Sequence, residues 1–144
     1  VAFIDWYSRY VIAWSLSDTL HNKFVLQALK EVLYFLDDCG LALPDIANSD
    51  QGSHFTSEAY TGLLEQAGIR ISMDGRGRCL DNIFTERLWR SVKYENVFPN
   101  SYKNLQEAQA GLEHYFNFYN NKRKHQSLDY DTPAAVYFGI RADQ

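Results

Sequence analysis

The chain has little of what marks several large classes of protein. Its 144 residues hold two cysteines, Cys39 and Cys79, far apart and with no CxxC pair. That spacing gives no disulfide framework and suits two reduced thiols in a cytosolic protein. Four histidines, His21, His54, His114 and His125, are scattered, so no zinc-ligand spacing is present. No apolar run approaches the roughly 20 residues that a membrane span needs, and no membrane association is expected. The GxxxxGK[ST] pattern is absent, which removes a Walker-type phosphate loop. There are no internal repeats and no low-complexity segments. Val1 is not an initiator methionine, already lies in an apolar run and begins no signal-peptide pattern. The chain therefore reads as a fragment of something longer.

What remains is a packed α/β globule of one domain's length. Apolar residues make up 46% and aromatic residues 15%, too much hydrophobic mass for disorder. The net charge of −4 speaks against nucleic acid until its distribution is examined. Residues 1–69 carry three basic against nine acidic side chains, whereas 70–144 carry eleven against nine. Within 70–93 the balance is six basic to three acidic (Asp74, Asp81, Glu86). A basic strip with interspersed carboxylates suits a phosphate-handling site, although a solvated charged face has the same composition.

Along the chain, "VAFID", "WYSR" and "YVIAWSL" read as strand, turn and strand. Asn22 is placed to cap a helix to about Asp38, with Val25, Leu29, Val32 and Leu36 on one stripe and Gly40 at its end. "LPDIAN" follows as a short buried strand. Ser57 is placed to cap a helix with Tyr60, Leu63, Leu64 and Ala67 inward, stopped by Gly68. "IRISM" alternates Ile69, Ile71 and Met73 inward. The loop "DGRGRC" is expected to be mobile. A helix is expected from near Asp81 or Asn82 to about Glu95, and a longer one over Leu105 to Asn121. Thr132-Pro133 signals a short last helix. The order β-β-α-β-α-β-α-α implies an α/β domain, antiparallel first and with helical crossovers later.

Two places carry candidate chemistry. Asp50 ends the third strand and is followed by Gln51-Gly52. A plain turn explains this, and so does a metal-binding carboxylate at the mouth of a sheet. On the helix after Asn82, at 100° per residue, Asn82 and Arg90 fall about 40° from Glu86 and Lys93 about 20°. Phe84, Leu88 and Val92 lie on the far side. One face thus presents an amide, a carboxylate and two cations, either as a solvated face with a Glu-to-Arg pair or as a site. Two carboxylates on different elements suit Mg²⁺ or Mn²⁺, hard ions that accept phosphate oxygens and retain waters. Such ions serve in-line phosphoryl displacement, with Arg90 and Lys93 holding the phosphate backbone.

These residues carry a resemblance. "FIDWYSRYVIAW", "SDQGSHFTS", "GIRISMDGRGRCLDNIFTERLWRSVKYE" and "YFNFYNNKRKHQSLDYDTPAAVYFG" resemble the integrase core of bacterial insertion-sequence transposases, in the DDE superfamily with retroviral integrases. The stretches span nearly the whole chain. "SDQG" alone is common, whereas an Asn-x-x-x-Glu whose carboxylate is separated from the aspartate by 35 residues is specific.

The resemblance implies an RNase H-like fold with a mixed five-stranded sheet flanked by helices. It implies Asp50 and Glu86 as the second and third catalytic, metal-binding carboxylates. The family's first aspartate, usually in an Asp-x-Thr-Tyr context, lies on a first strand that precedes Val1. The chain then reads as a single N-terminally truncated core, 1–144, with a helical tail from 99. It is expected to be inactive alone and to use two Mg²⁺ or Mn²⁺ ions when complete. Asp5 instead fixes the "WYSR" turn.

Expected partners are DNA, as element ends and target, and further copies of the chain assembled on DNA, in a bacterial cytoplasm at the nucleoid. Expected DNA contacts are Asn82, Arg90, Lys93, Arg76, Arg78, Lys122, Arg123 and Lys124, with Gln51 and His54 as further candidates at the scissile strand. Trp89 and the aromatics at 115–119 suit either base stacking or core packing. Two departures are minor: Thr85 stands where relatives often carry an aliphatic residue, and "NKRKH" lacks a common proline. Rival readings are an RNase H-type nuclease and a catalytically incomplete remnant that only folds or binds DNA.

Overall fold

The computed structural model describes residues 1–75 and 82–140. The chain divides into two compact units, one of Val1 with Ala13–Ile83, the other of Ala2–Ile12 with Phe84 onward. Among the described residues there are four strands in two pairs. The arrangement is α/β, as the sequence order requires.

In the first unit, α1 (Lys23–Asp38) buries Val25, Ala28, Leu29, Val32 and Leu36, the stripe that a 3.6-residue period demands. It ends where Gly40 takes φ +62°, a left-handed conformation that costs glycine least. Asn22 precedes the helix but makes no side-chain cap, because its amide oxygen lies 2.6 Å from His54 Nδ1. A four-residue helix, α2 (Ser53–Thr56), was not legible in the sequence. In α3 (Glu58–Gln66) the Ser57 hydroxyl accepts from Tyr60 N–H, as expected. Gly68 follows with φ +75°.

β3 (Ile46–Ser49) and β4 (Arg70–Met73) pair in parallel, Ile46 against Arg70 through Ser49 against Met73. The α2–α3 segment supplies the crossover that a parallel pair needs. β3 is less buried than its composition suggested, since Ile46 is 49% exposed at the open start of the ladder.

In the second unit the hairpin of β1 (Ala2–Ile4) and β2 (from Val11, continuing to Trp14) turns on Asp5, whose Oδ2 accepts from both Ser8 N–H (2.8 Å) and Ser8 Oγ (2.7 Å). That is the structural role expected of it. α4 (Ile83–Val92) does not run to Glu95 as one α-helix. It passes into a π-helical turn, Lys93–Val97, and then the short α5 (Phe98–Asn100).

α6 (Leu105–Asn121) has the expected bounds and an Asn104 cap that accepts from Glu107 N–H. Glu107 in turn accepts from Lys103 N–H, a reciprocal pairing of the capping-box kind. Its inward residues are Leu112, Tyr115, Phe116, Tyr119 and Asn120, while Leu105 stays 43% exposed in the first turn. α7 (Pro133–Tyr137) is capped by Thr132. Asn120 is buried with both ends of its amide on Val11, accepting its N–H at 2.9 Å and donating to its carbonyl at 2.8 Å. This ties α6 to the hairpin.

Candidate active site

At the end of β3, Asp50 is exposed and its Oδ1 accepts the Gly52 N–H at 2.7 Å. The turn is the local Asx kind, in which a carboxylate satisfies the backbone two residues on. Glycine is required here by space rather than by φ. A Cβ at position 52 would stand 2.8 Å from that same carboxylate oxygen. The strand end is fixed from β4 as well: Asp74 N–H donates to Ser49 O (2.9 Å), Asn48 Nδ2 donates to Asp74 Oδ1 (3.1 Å), and Gln51 Nε2 donates to Asp74 O (3.0 Å). Gln51 is thus engaged within the protein, and so is His54, which meets Asn22 and lies edge-on to Phe24 at 5.3 Å. Asn48 and Asp74 escaped the sequence reading because only the parallel register brings them together.

On α4 the apolar side is gripped by the hairpin tip. The Trp6 ring lies 5.6 Å from Phe84, and the Arg9 guanidinium lies 3.8 Å over the Phe84 ring, a cation–π contact. Leu88 and Val92 are buried. The opposite side leaves Glu86 and Arg90 exposed, with Asn82 half-buried in the turn before the helix. Lys93 is exposed as the first residue of the π-turn. The face drawn from helix periodicity therefore exists through Arg90, and Lys93's direction depends on the turn after it. Trp89 is half-buried. Arg76 and Arg78, and the loop expected to be mobile, lie outside the described residues.

Beyond α6, Lys122 and Lys124 are exposed, but Arg123 is committed elsewhere. Its Nε and Nη2 donate to Glu95 at 2.9 and 2.6 Å, a forked pairing with geometry a single lysine cannot match. Tyr115 OH donates to the same carboxylate at 2.7 Å. The Arg123 hydrogen bonds hold the Glu95 carboxyl below its ordinary range, against the opposing effect of burial. Burial, then the bond to Glu95, pushes the Tyr115 phenol well up. His125 stands beside the pair, 3.3 Å from Arg123 Nη1 and edge-on to Tyr119. Burial, reinforced by the Arg123 charge, pulls its pKa down to about 4, so the imidazole is neutral near pH 7. No local signal in the sequence pointed to Glu95.

The donor chemistry at Asp50 and Glu86, exposed carboxylates with hard oxygens, suits a divalent cation that keeps waters. Among the described residues no group of three or more His, Cys, Asp or Glu is gathered at a metal-ligating position. Neither carboxylate is by itself a complete ligand shell. No helix among the described residues is long and apolar enough to cross a membrane.

The α/β fold is of the RNase H-like class found in integrase catalytic cores. The chain belongs to the integrase core domain family, whose models match residues 1–79 and 67–133. It is 34% identical to the transposase for insertion sequence element IS904 of Lactococcus lactis, over 90% of this chain and 51% of that protein. It is 32% identical to the transposase for IS629 of Shigella sonnei, over 99% of this chain and 49% of that protein. The chain thus spans about half the length of these curated relatives. Among solved structures it shares its fold with the HTLV-2 integrase catalytic core domain in complex with magnesium, in a trimeric form. The TM-score there is 0.64 at 17% identity, covering 94% of this chain and 81% of that one.

Proposed function

We propose that this chain is the catalytic core of an insertion-sequence transposase, a single integrase-type domain over 1–144, cleaving and joining DNA strands in a divalent-metal-dependent reaction. The observation that carries the reading is the pairing of residue type with presentation. Asp50 is held out at a strand end by the Gly52 N–H, and Glu86 stands exposed on a helix whose opposite side is buried. The long match to insertion-sequence transposases, including the region after Glu86, favours this over an RNase H-type nuclease.

Asp50 and Glu86 are the residues of this chain that would hold the metal. Mg²⁺ or Mn²⁺, with two ions in the complete protein, supplies activation of the attacking oxygen and stabilisation of the leaving one. The HTLV-2 core's complex with magnesium supports that choice. The chain's own residues do the holding. Arg90 and Lys93 lie one and two turns beyond Glu86, where they would neutralise phosphates flanking the scissile bond. Exposed Lys122 and Lys124 add charge to the same partner, and Asn82, Arg76 and Arg78 extend the contact. In the first step water attacks the phosphorus and the 3′-oxygen leaves, taking a proton to become a hydroxyl. In the second, that hydroxyl attacks a target phosphodiester and expels another 3′-oxygen. The partners are element-end and target DNA, with further copies of the chain assembled on it in the bacterial cytoplasm.

The test reads metal binding without activity. In a transposase that includes the upstream strand, millimolar Mn²⁺ should raise the melting temperature, because an ion that binds only the folded state stabilises it by mass action. Asp50→Asn and Glu86→Gln should each remove most of that rise. An undiminished rise in both variants would place the metal elsewhere and end this reading.

A further inference from the structure

The π-turn at Lys93–Val97 sits directly after the Glu86 helix. A π-helical turn is a rare insertion that persists where outside contacts stabilise it, often at functional sites. Here two adjacent residues of the turn are each held from α6 or the segments flanking it. Glu95 takes the Arg123 fork and the Tyr115 hydroxyl. Asn96, buried, accepts from Tyr102 OH at 2.8 Å and donates toward Gly111 O at 3.4 Å, while Asn100 Nδ2 donates back to its carbonyl at 2.7 Å. Position 111 must be glycine for this, since a Cβ there would collide with the Tyr102 phenol.

We propose that Glu95 and Arg123 are positioning residues for the transfer reaction. Their forked pair, with Tyr115, clamps the π-turn and so sets the direction in which Lys93 leaves the helix that carries Glu86 and Arg90. The proposal rests on the reading of that helix as catalytic and goes one step beyond it. It also removes Arg123 from the DNA contacts expected of the basic "KRK" run. Both donor edges used by the fork face Glu95, and a phosphate would have to displace a carboxylate that Tyr115 also holds. Lys122 and Lys124 keep that role. The clamp spans 28 residues and lies wholly within the second compact unit.

The experiment compares Glu95→Gln, Arg123→Gln, Arg123→Lys and the exchange Glu95→Arg with Arg123→Glu, in the full-length transposase. Hydrogen exchange at the amides of 93–97 is the readout that does not depend on catalysis. The three single variants should speed it on the order of tenfold or more, and the exchange should restore part of the protection. If protection of 93–97 is unchanged in all of them, the clamp does not exist.

The second readout is strand transfer and DNA affinity across salt. Misplacing a phosphate-holding group costs up to about 10²-fold in rate. The single variants should therefore lower kcat by about 10- to 100-fold and reduce the salt slope alike, by up to the roughly 0.9 of the one Lys93 contact, and Arg123→Lys and Glu95→Gln should both fail like Arg123→Gln. If instead Arg123→Gln reduces the salt slope by about 0.9, Arg123→Lys keeps it, and Glu95→Gln tightens binding, Arg123 is a phosphate contact and the proposal is overturned. Unchanged kcat with faster exchange would make the clamp merely structural, which also overturns it. Cleavage by Glu86→Gln, run in parallel, would defeat the catalytic reading of the helix, and the exchange data would still decide whether the clamp is real.

Discussion

The two carboxylates are presented by opposite means. Asp50 is fixed by its own neighbourhood: a bond to an N–H two residues on, a glycine that leaves room for it, and a strand ladder that ends beside it. Glu86 is fixed from far away. Its helix is gripped through Phe84 by a hairpin near the start of the chain, and the turn after it is clamped by residues up to 28 positions downstream. The difference teaches where each presentation is vulnerable. A local device is broken only by changing its own few residues. A distributed one is broken from many places, some far from the site in sequence.

The largest expected effect lies on the local side. Asp50→Asn keeps an oxygen that can accept the Gly52 N–H, so the fold should survive with its melting temperature almost unchanged. Metal-dependent cleavage by the full-length protein should fall by on the order of 10³-fold or more. A large loss of stability instead would show that Asp50 is a structural turn residue and would erase the comparison.

On the distributed side, Asn120→Ala should be the most damaging change remote from the chemistry. It strips the partners from the buried N–H and carbonyl of Val11, each costing about 1–3 kcal/mol when left unpaired. Chemical denaturation should show a loss of about 2–4 kcal/mol. A loss under about 0.5 kcal/mol would mean that α6 does not hold the hairpin.

Acid sharpens the same contrast. His125 has a folded pKa of about 4 against an ordinary 6.5, because burial and Arg123 disfavour its cation. Between those values the unfolded chain binds the proton and the folded chain does not. Stability should therefore fall as pH drops from about 6.5 toward 4. Glu95, whose carboxyl is depressed by Arg123, loses its contribution further down, as pH falls through its folded value. Melting temperatures from pH 7 to 5 should decline more steeply in wild type than in His125→Gln. Equal slopes would contradict a buried neutral imidazole.

The smallest effect is at a cap. Ser57→Ala removes one side-chain acceptor at the start of α3, worth about 1 kcal/mol. Asn22→Ala should act only through the lost bond to His54, not through a cap, so restoring an acceptor for His54 from elsewhere should recover its midpoint. Denaturation midpoints for the two variants check the pair.

What the sequence made legible follows the same divide. The stripe of α1, the bounds of α6, the Ser57 and Thr132 caps, the ends at Gly40 and Gly68 and the Asp5 turn all rest on residues within a few positions of one another. Periodicity and capping chemistry suffice for those. The π-turn was read as plain helix although Pro99, two residues past it, has no N–H to give the Glu95 carbonyl; its side-chain partners, Tyr102, Gly111, Tyr115 and Arg123, lie further along the chain. Asn22 looked like a cap because the competing His54 is 32 residues away. Ile46 looked buried because β composition does not reveal which end of a ladder is open. At the candidate site, the strand-end position of Asp50 and the shared exposed face of Glu86 and Arg90 were readable from spacing, whereas the contacts of Glu95 and Asp74 depend on tertiary register. Arg123 was assigned by charge alone, and charge does not say which carboxylate a cation has found.

The central claim, that Glu86 serves chemistry while the cations of its helix hold DNA, is tested most directly by one paired assay. Full-length protein carrying Glu86→Gln is measured for element-end DNA affinity across salt and for Mn²⁺-dependent nicking of the same DNA. Removing a negative charge cannot weaken phosphate approach, so affinity and salt slope should match or slightly exceed wild type while nicking disappears. Nicking that persists at the wild-type rate would contradict the account, leaving the α4 face as solvated charge.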